Sequence, residues 1–236
     1  NEVEGMVIGG HGDTTMIPLT RFASYKGRPV AEILDKATLD KVVADTMVGG
    51  ATLTGLLGTS AWMAPGAAAS FLVESIIKTV IETTEILLKN PNDYDARAEF
   101  AWAATQALNG LTTSGTGGGS FPNHMIEHSL SALYNVAHGA GLSIVMPAWM
   151  KWYKDKNKAQ FERFAREIFG LSSAEEGISA LENWFKSIKS PIRLEEANIP
   201  KSDIPKIAEN AHGLASLWGM GGFYTQSVIE QILQNA

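Results

Sequence analysis

The sequence predicts a mainly helical protein of the α+β class, in which a small N-terminal antiparallel β-hairpin region is followed by a multi-helix bundle. Three observations support this reading. Short apolar runs separated by glycine-rich turns are confined to about the first thirty residues. From Ala31 onward, apolar residues recur mostly at three- and four-residue intervals. The strand-helix-strand alternation that builds a parallel sheet is absent from the pattern.

In chain order, Val3 to Leu19 reads as a strand, a glycine turn carrying His11 and Asp13, and a second strand. Tyr25-Lys-Gly-Arg-Pro29 is a turn signal for a further hairpin arm. Thr38 can cap a helix through Leu39, Val42, Val43 and Met47, which Gly49 and Gly50 interrupt before Leu53, Leu56 and Leu57 resume the pattern. Pro65 suits the first turn of the next helix, whose apolar positions Phe71, Val73, Ile76, Ile77, Val80, Ile81 and Ile86 run to a stop at Asn90-Pro91.

Asp93 to Ala107 is a helix of small residues that others can approach closely, ending at Asn109-Gly110. The following Ser114-Gly-Thr-Gly-Gly-Gly-Ser120 lacks the strand context of a dinucleotide fingerprint and the Lys of a phosphate loop, so a flexible connection is expected. A helix rich in histidine comes next, then the apolar stretch Leu142 to Tyr153, where Pro147 is expected to kink the chain. Phe161, Phe164, Ala165, Ile168 and Phe169 form one helical stripe. Ser173 with Glu176 offers a capping box for another through Leu181, Trp184, Phe185 and Ile188. Pro191, Pro200 and Pro205 punctuate the stretch after it, and Thr225 can cap the last helix. His212, before Gly213, reads as a helix-end histidine without chemistry.

Composition narrows the function. A hydrophobic content of 45% is ample for a real core in one large domain or two small ones. A net charge of -6 without a long basic run argues against a nucleic-acid surface. The lack of cysteine excludes disulfides, thiolate zinc sites and a Cys nucleophile. No run of eighteen apolar residues and no signal peptide is seen, so a cytoplasmic protein without a membrane partner is expected. The missing initiator Met leads to the expectation that upstream residues have been removed.

The stretch richest in chemistry is His124-Met-Ile-Glu-His128-Ser-Leu-Ser-Ala-Leu-Tyr134-Asn-Val-Ala-His138-Gly-Ala-Gly141, which holds three of the five histidines. His124 and His128 are four apart and share one face of a helix. His138 precedes a Gly-Ala-Gly that can end this helix and fold an imidazole back toward it. Two neutral imidazoles can hold a metal ion while a third handles protons. The alternative is three half-buried histidines that only hydrogen-bond.

This stretch resembles the metal-binding segment of the iron-containing (group III) alcohol dehydrogenases, with its H-S-L-S-A-L-Y core between a His pair and a His-Gly pair. The resemblance runs from about Lys78 to the C-terminus. It takes in Leu88 to Arg97, the glycine-rich Leu111 to Phe121 and the closing Gly219-Met-Gly-Gly-Phe223. It implies a helical domain of that family's C-terminal type, with His124 and His138 as metal ligands and His128 as a catalytic-site residue near cofactor and substrate. The implied ion is divalent iron or zinc.

The first part resembles a different family. Gly10-His11-Gly-Asp-Thr14 with its following apolar strand, continuing through Val43 to Ala69, is similar to the C-terminal catalytic domain of malate and lactate dehydrogenases, closer to the malate enzymes, over residues 1 to about 78. On that resemblance His11 is the catalytic acid/base, and Thr59 and Ser60 line the substrate pocket.

The two resemblances meet inside one predicted helix, near Ile77 to Val80, with no proline, glycine or linker. A natural fusion usually shows an exposed linker, so the reading is a chimera of two dehydrogenase fragments, 1-78 and 79-236; the alternative is an ancient common fragment. The iron family's other two ligands, an Asp and a His, should stand near Gly50 and Thr54, and neither residue can serve. Metal binding is therefore expected to be weak, with Asp45, Glu74 or Glu82 as makeshift third ligands.

Both families imply NAD(P), but no nucleotide-binding domain is read here. The expected function is thus a chimeric scaffold without native catalysis. The alternative is a metal-dependent, nicotinamide-linked alcohol dehydrogenase with residual activity, or one completed by a partner chain. Exposed strand edges make a homodimer the expected assembly.

Overall fold

The computed structural model describes residues 5–8, 15–18, 24–25, 28–29, 67–113 and 120–236. The chain divides into two compact units, Asn1–Thr46 and Met47–Ala236. In the first, β1 (Gly5–Ile8) pairs antiparallel with β2 (Thr15–Pro18), Gly5 opposite Pro18 and Ile8 opposite Thr15. The two-residue strands β3 (Ser24–Tyr25) and β4 (Arg28–Pro29) pair likewise. His11, Thr59, Ser60, Asp45, Pro65, the Thr38 helix and Ser114 to Gly119 lie outside the described residues.

All the regular secondary structure among the described residues of the second unit is helical. Helix α1 (Ala67–Lys89) forms because Val73, Ile76, Ile77, Val80 and Leu87 fall on one face, and all five are buried. It runs unbroken across 77–80, so the place where the two resemblances meet is not a boundary between compact units. The hydroxyls of Ser75, Thr79 and Thr83 bond the carbonyls four residues back, which lets polar side chains sit in mid-helix without competing for its own N–H groups.

Helix α2 (Tyr94–Leu108) starts where Asp93 accepts a hydrogen bond from the Ala96 N–H at 3.0 Å. Its buried residues Ala96, Phe100, Ala103 and Ala107 include three alanines, which lets it lie close on α1. Gly110, at φ +88°, takes the left-handed turn that leads away.

Pro122 opens α3 (Pro122–Tyr134), where its missing N–H costs nothing. The helix stops at Asn135, whose left-handed conformation (φ 54°, ψ 36°) lets its N–H reach the Ser131 carbonyl. This corrects the expectation that Gly-Ala-Gly ends the helix: Asn135 ends it, and Gly139 to Gly141 lie in the first turn of α4 (His138–Tyr153). Every residue of α4 from Leu142 to Met150 is buried, and the helix continues past Pro147 to Tyr153.

Around α3 and α4 pack the amphipathic helices α5 (Lys158–Phe169) and α6 (Ala174–Ser187), then α7 (Ile204–Leu217) and α8 (Gln226–Leu233). The Ser173/Glu176 capping box is formed, and Thr225 caps α8 through the Val228 N–H. A Cβ on Gly177 would lie 2.5 Å from the Ala165 Cβ, so α5 and α6 touch at backbone distance. Phe161, Phe164 and Phe185 are fully enclosed, each contributing about 1.5–3 kcal/mol of burial. His212 is not at a helix end: α7 continues through Gly213 to Leu217 because Ala208, Ala211 and Ala215 keep its inner face buried.

Candidate metal centre

The i, i+4 spacing on α3 places His124 and His128 one turn apart, both half-buried. The turn at Asn135 then brings His138, the first residue of α4, alongside them. His124 Nδ1 lies 3.1 Å from His138 Nε2. The His128 and His138 ring centroids are 5.3 Å apart, and the candidate ligand atoms of all three residues fall within 4.8 Å of one another. The rings of Phe121 and Trp218 meet His124 and His128 edge-on, with centroids at 5.6 and 5.5 Å.

Glu127, which sequence reasoning passed over, sets the chemistry. It is fully buried, and its Oε2 accepts the Nδ1–H of His138. That bond selects one tautomer and leaves the lone pair of Nε2 directed at His124. The other carboxylate oxygen is 2.5 Å from Ser131 Oγ, which also reaches the Val136 carbonyl at 2.9 Å. Gly141 matters for the same reason: a Cβ there would stand 2.7 Å from Cγ and 2.9 Å from Cδ of Glu127. A signal existed in the sequence, since Glu127 is a lone carboxylate beside Met125, Ile126 and Leu130 on the inner face of α3.

Two imidazole nitrogens bound to one zinc-like ion at about 2.0–2.1 Å must be about 3.0–3.4 Å apart, for right-angle or tetrahedral bonding. The observed 3.1 Å fits. An ion would take the place of the proton now shared between His124 and His138, and the Glu127 carboxylate would offset part of its charge.

Among the described residues, the makeshift carboxylates Glu74 and Glu82 do not join the cluster. Glu74 is buried against Arg163, whose Nε and Nη2 donate to it at 2.5 and 3.3 Å, and Glu82 is exposed. An ion pair offsets the desolvation of Glu74, which explains its place.

Near the cluster, Tyr134 donates to Asp203 at 2.7 Å, tying the end of α3 to the start of α7. Burial and that carboxylate push the phenol up to about 12. Tyr224 is also raised to about 12, by burial, while Trp149 donates to its oxygen at 3.0 Å. Both phenols therefore stay neutral and serve as structure. His212 donates from Nδ1 to the Tyr224 carbonyl at 3.0 Å, away from the cluster.

Residues 63–236 match the Fe-containing alcohol dehydrogenase family, C-terminal. The crystal structure of NADH-dependent butanol dehydrogenase A from Thermotoga maritima is 40% identical with a TM-score of 0.76, over 81% of this chain and 52% of that one. A probable NADH-dependent butanol dehydrogenase of Bacillus subtilis is 32% identical over 148 residues, 59% of this chain and 38% of its own length. A malate dehydrogenase of Bacteroides fragilis is 74% identical over 77 residues, 33% of this chain and 25% of the relative. The chain thus spans about half the length of the solved relative. No helix among the described residues is long and apolar enough to cross a membrane.

Proposed function

The chain belongs to the Fe-containing alcohol dehydrogenase family across residues 63–236, and from that premise we propose that its histidine cluster is the divalent-metal half of an alcohol dehydrogenase centre, carried on a chimeric scaffold. The observation that carries this is the 3.1 Å approach of His124 Nδ1 to His138 Nε2, with Glu127 behind the second ring. When bound, the ion supplies Lewis-acid polarisation of an alcohol or aldehyde oxygen. The chain's own residues do the rest: Glu127 holds the His138 tautomer, and Phe121 and Trp218 fix the rings of His124 and His128 from the side.

The chimeric reading rests on the 74% identity of 77 residues to a malate dehydrogenase and on the continuity of α1 across the join. In it, residues 1-78 with the antiparallel segment, His11, Thr59 and Ser60 come from one fragment and residues 79-236 from the other. On this reading the chain alone transfers hydride negligibly, in keeping with the sequence, in which no nucleotide-binding domain is read. A homodimer and a cytoplasmic setting remain part of the proposal.

The second reading, an active nicotinamide-linked alcohol dehydrogenase completed by a partner chain, is favoured by the 40% identity to the Thermotoga maritima enzyme. One experiment separates them: the full chain, loaded with Fe²⁺ or Zn²⁺ and dialysed, is measured for bound metal and for NADH oxidation with butanal. Bound metal without turnover is expected. Bound metal with turnover favours the second reading, and no bound metal overturns both.

A further inference from the structure

We propose that His128 is a ligand of the ion in this chain, giving a three-histidine centre of His124, His128 and His138 in place of the donor set that the family resemblance implies. This rests on the metal reading above and sharpens it. Two residues four apart on a helix can grip one ion from the same side, and His124 and His128 stand so on α3. The pair at 3.1 Å already has the separation of neighbouring ligands. With all three candidate atoms within 4.8 Å, closing the set to about 3.0–3.4 Å asks for a side-chain adjustment of less than about 2 Å. The His128 ring is also held in place, facing His138 on one side and the edge of Trp218 on another.

Among the described residues, the nearest alternative carboxylates are committed elsewhere. Glu74 is paired with Arg163, and both oxygens of Glu127 are engaged, one by His138 and one by Ser131. His124-x-x-Glu127-His128 has the spacing of a zinc-peptidase motif, H-x-x-E-H, in which the Glu acts as the base. Here Glu127 is fully buried behind His138, so it orients a ligand and does not meet a water. It is a positioning residue. Three neutral imidazoles select a borderline ion such as Zn²⁺, Co²⁺ or Ni²⁺ over Mg²⁺ or Ca²⁺, and three protein ligands leave a position open for an oxygen donor.

The test uses the full chain and Co²⁺ or Zn²⁺ alone. Co²⁺ binding is followed by absorption, and Zn²⁺ affinity by competition with a chromophoric chelator, in the wild type and in H124A, H128A, E127Q and H212A. The proposal expects one ion per chain and an unchanged H212A. E127Q should weaken binding by about 10–100-fold, as an outer partner does. H124A and H128A should each weaken it by more than about 100-fold, beyond that outer-partner range. If H128A binds as the wild type does while H124A does not, His128 is no ligand and the proposal is overturned with the metal reading intact. If the wild type binds neither ion, both fail. Should H128A not fold, histidine ring NMR of the intact chain reads the same question: Zn²⁺ moving three sets of ring signals supports the proposal, and Zn²⁺ moving only those of His124 and His138 overturns it.

Discussion

Glu74 on α1 accepts hydrogen bonds from both Nε and Nη2 of Arg163 on α5, at 2.5 and 3.3 Å. Glu74 lies where the two likenesses overlap, within residues 1 to about 78 that resemble malate dehydrogenases and within residues 63–236 that match the alcohol dehydrogenase family, whereas Arg163 lies far inside the second alone. The pair therefore docks the start of the shared helix on the bundle, and the Glu74 side chain is 5% exposed.

Breaking that pair leaves the half-buried Arg163 guanidinium without its carboxylate. E74A should lower stability by about 1–3 kcal/mol, read as a shift in the urea midpoint. A replacement of both partners by apolar residues of similar size should recover much of the loss, because desolvation is then removed along with attraction. An E74A variant as stable as the wild type would show that α1 docks without it.

G141A places a methyl group against the Glu127 carboxylate, where a Cβ would stand 2.7 Å from Cγ. The carboxylate must shift and release His138. Zn²⁺ affinity should fall by about 10–100-fold, the loss of an outer-shell partner, with stability lower by about 1–3 kcal/mol from overpacking. Competition titration and thermal melting check the two effects separately.

Acid should weaken the bundle through Glu182. Burial raises its pKa, but the hydrogen bonds from Arg193 at 2.5 Å and Lys151 at 2.7 Å more than offset that, so the net shift is downward. A carboxyl whose folded value is depressed contributes stability that is fully present above its unfolded value, about 4.3, and is lost as pH falls through the lower folded value. E182Q should therefore cost about 1–3 kcal/mol at pH 7 and reduce the loss of stability between pH 5 and pH 3. Urea unfolding at those pH values measures it.

Much of the bundle was legible because its signals are local. The spacing of Val73, Ile76, Ile77 and Val80 marks the buried face of α1, and Ser173 with Glu176 marks the start of α6. The His124 and His128 pair was visible for the same reason, since four residues make one turn. What escaped depends on packing between helices. Glu127 meets His138 eleven residues away only after Asn135 has turned the chain, and a left-handed Asn leaves a weaker mark than Gly-Ala-Gly. Gly213 misled in the same way: it sits on an open face of α7, with nothing within 4 Å of where its Cβ would be, so it neither caps nor breaks the helix. The partnership of Glu74 with Arg163 joins residues 89 apart, which no local pattern records.

The most direct test of the central claim is anomalous diffraction at the zinc edge from crystals of the full chain grown with Zn²⁺. One strong peak about 2.0–2.1 Å from both His124 Nδ1 and His138 Nε2 is the predicted result. A map with no peak between those two nitrogens, or with the ion held only at other residues, would contradict it.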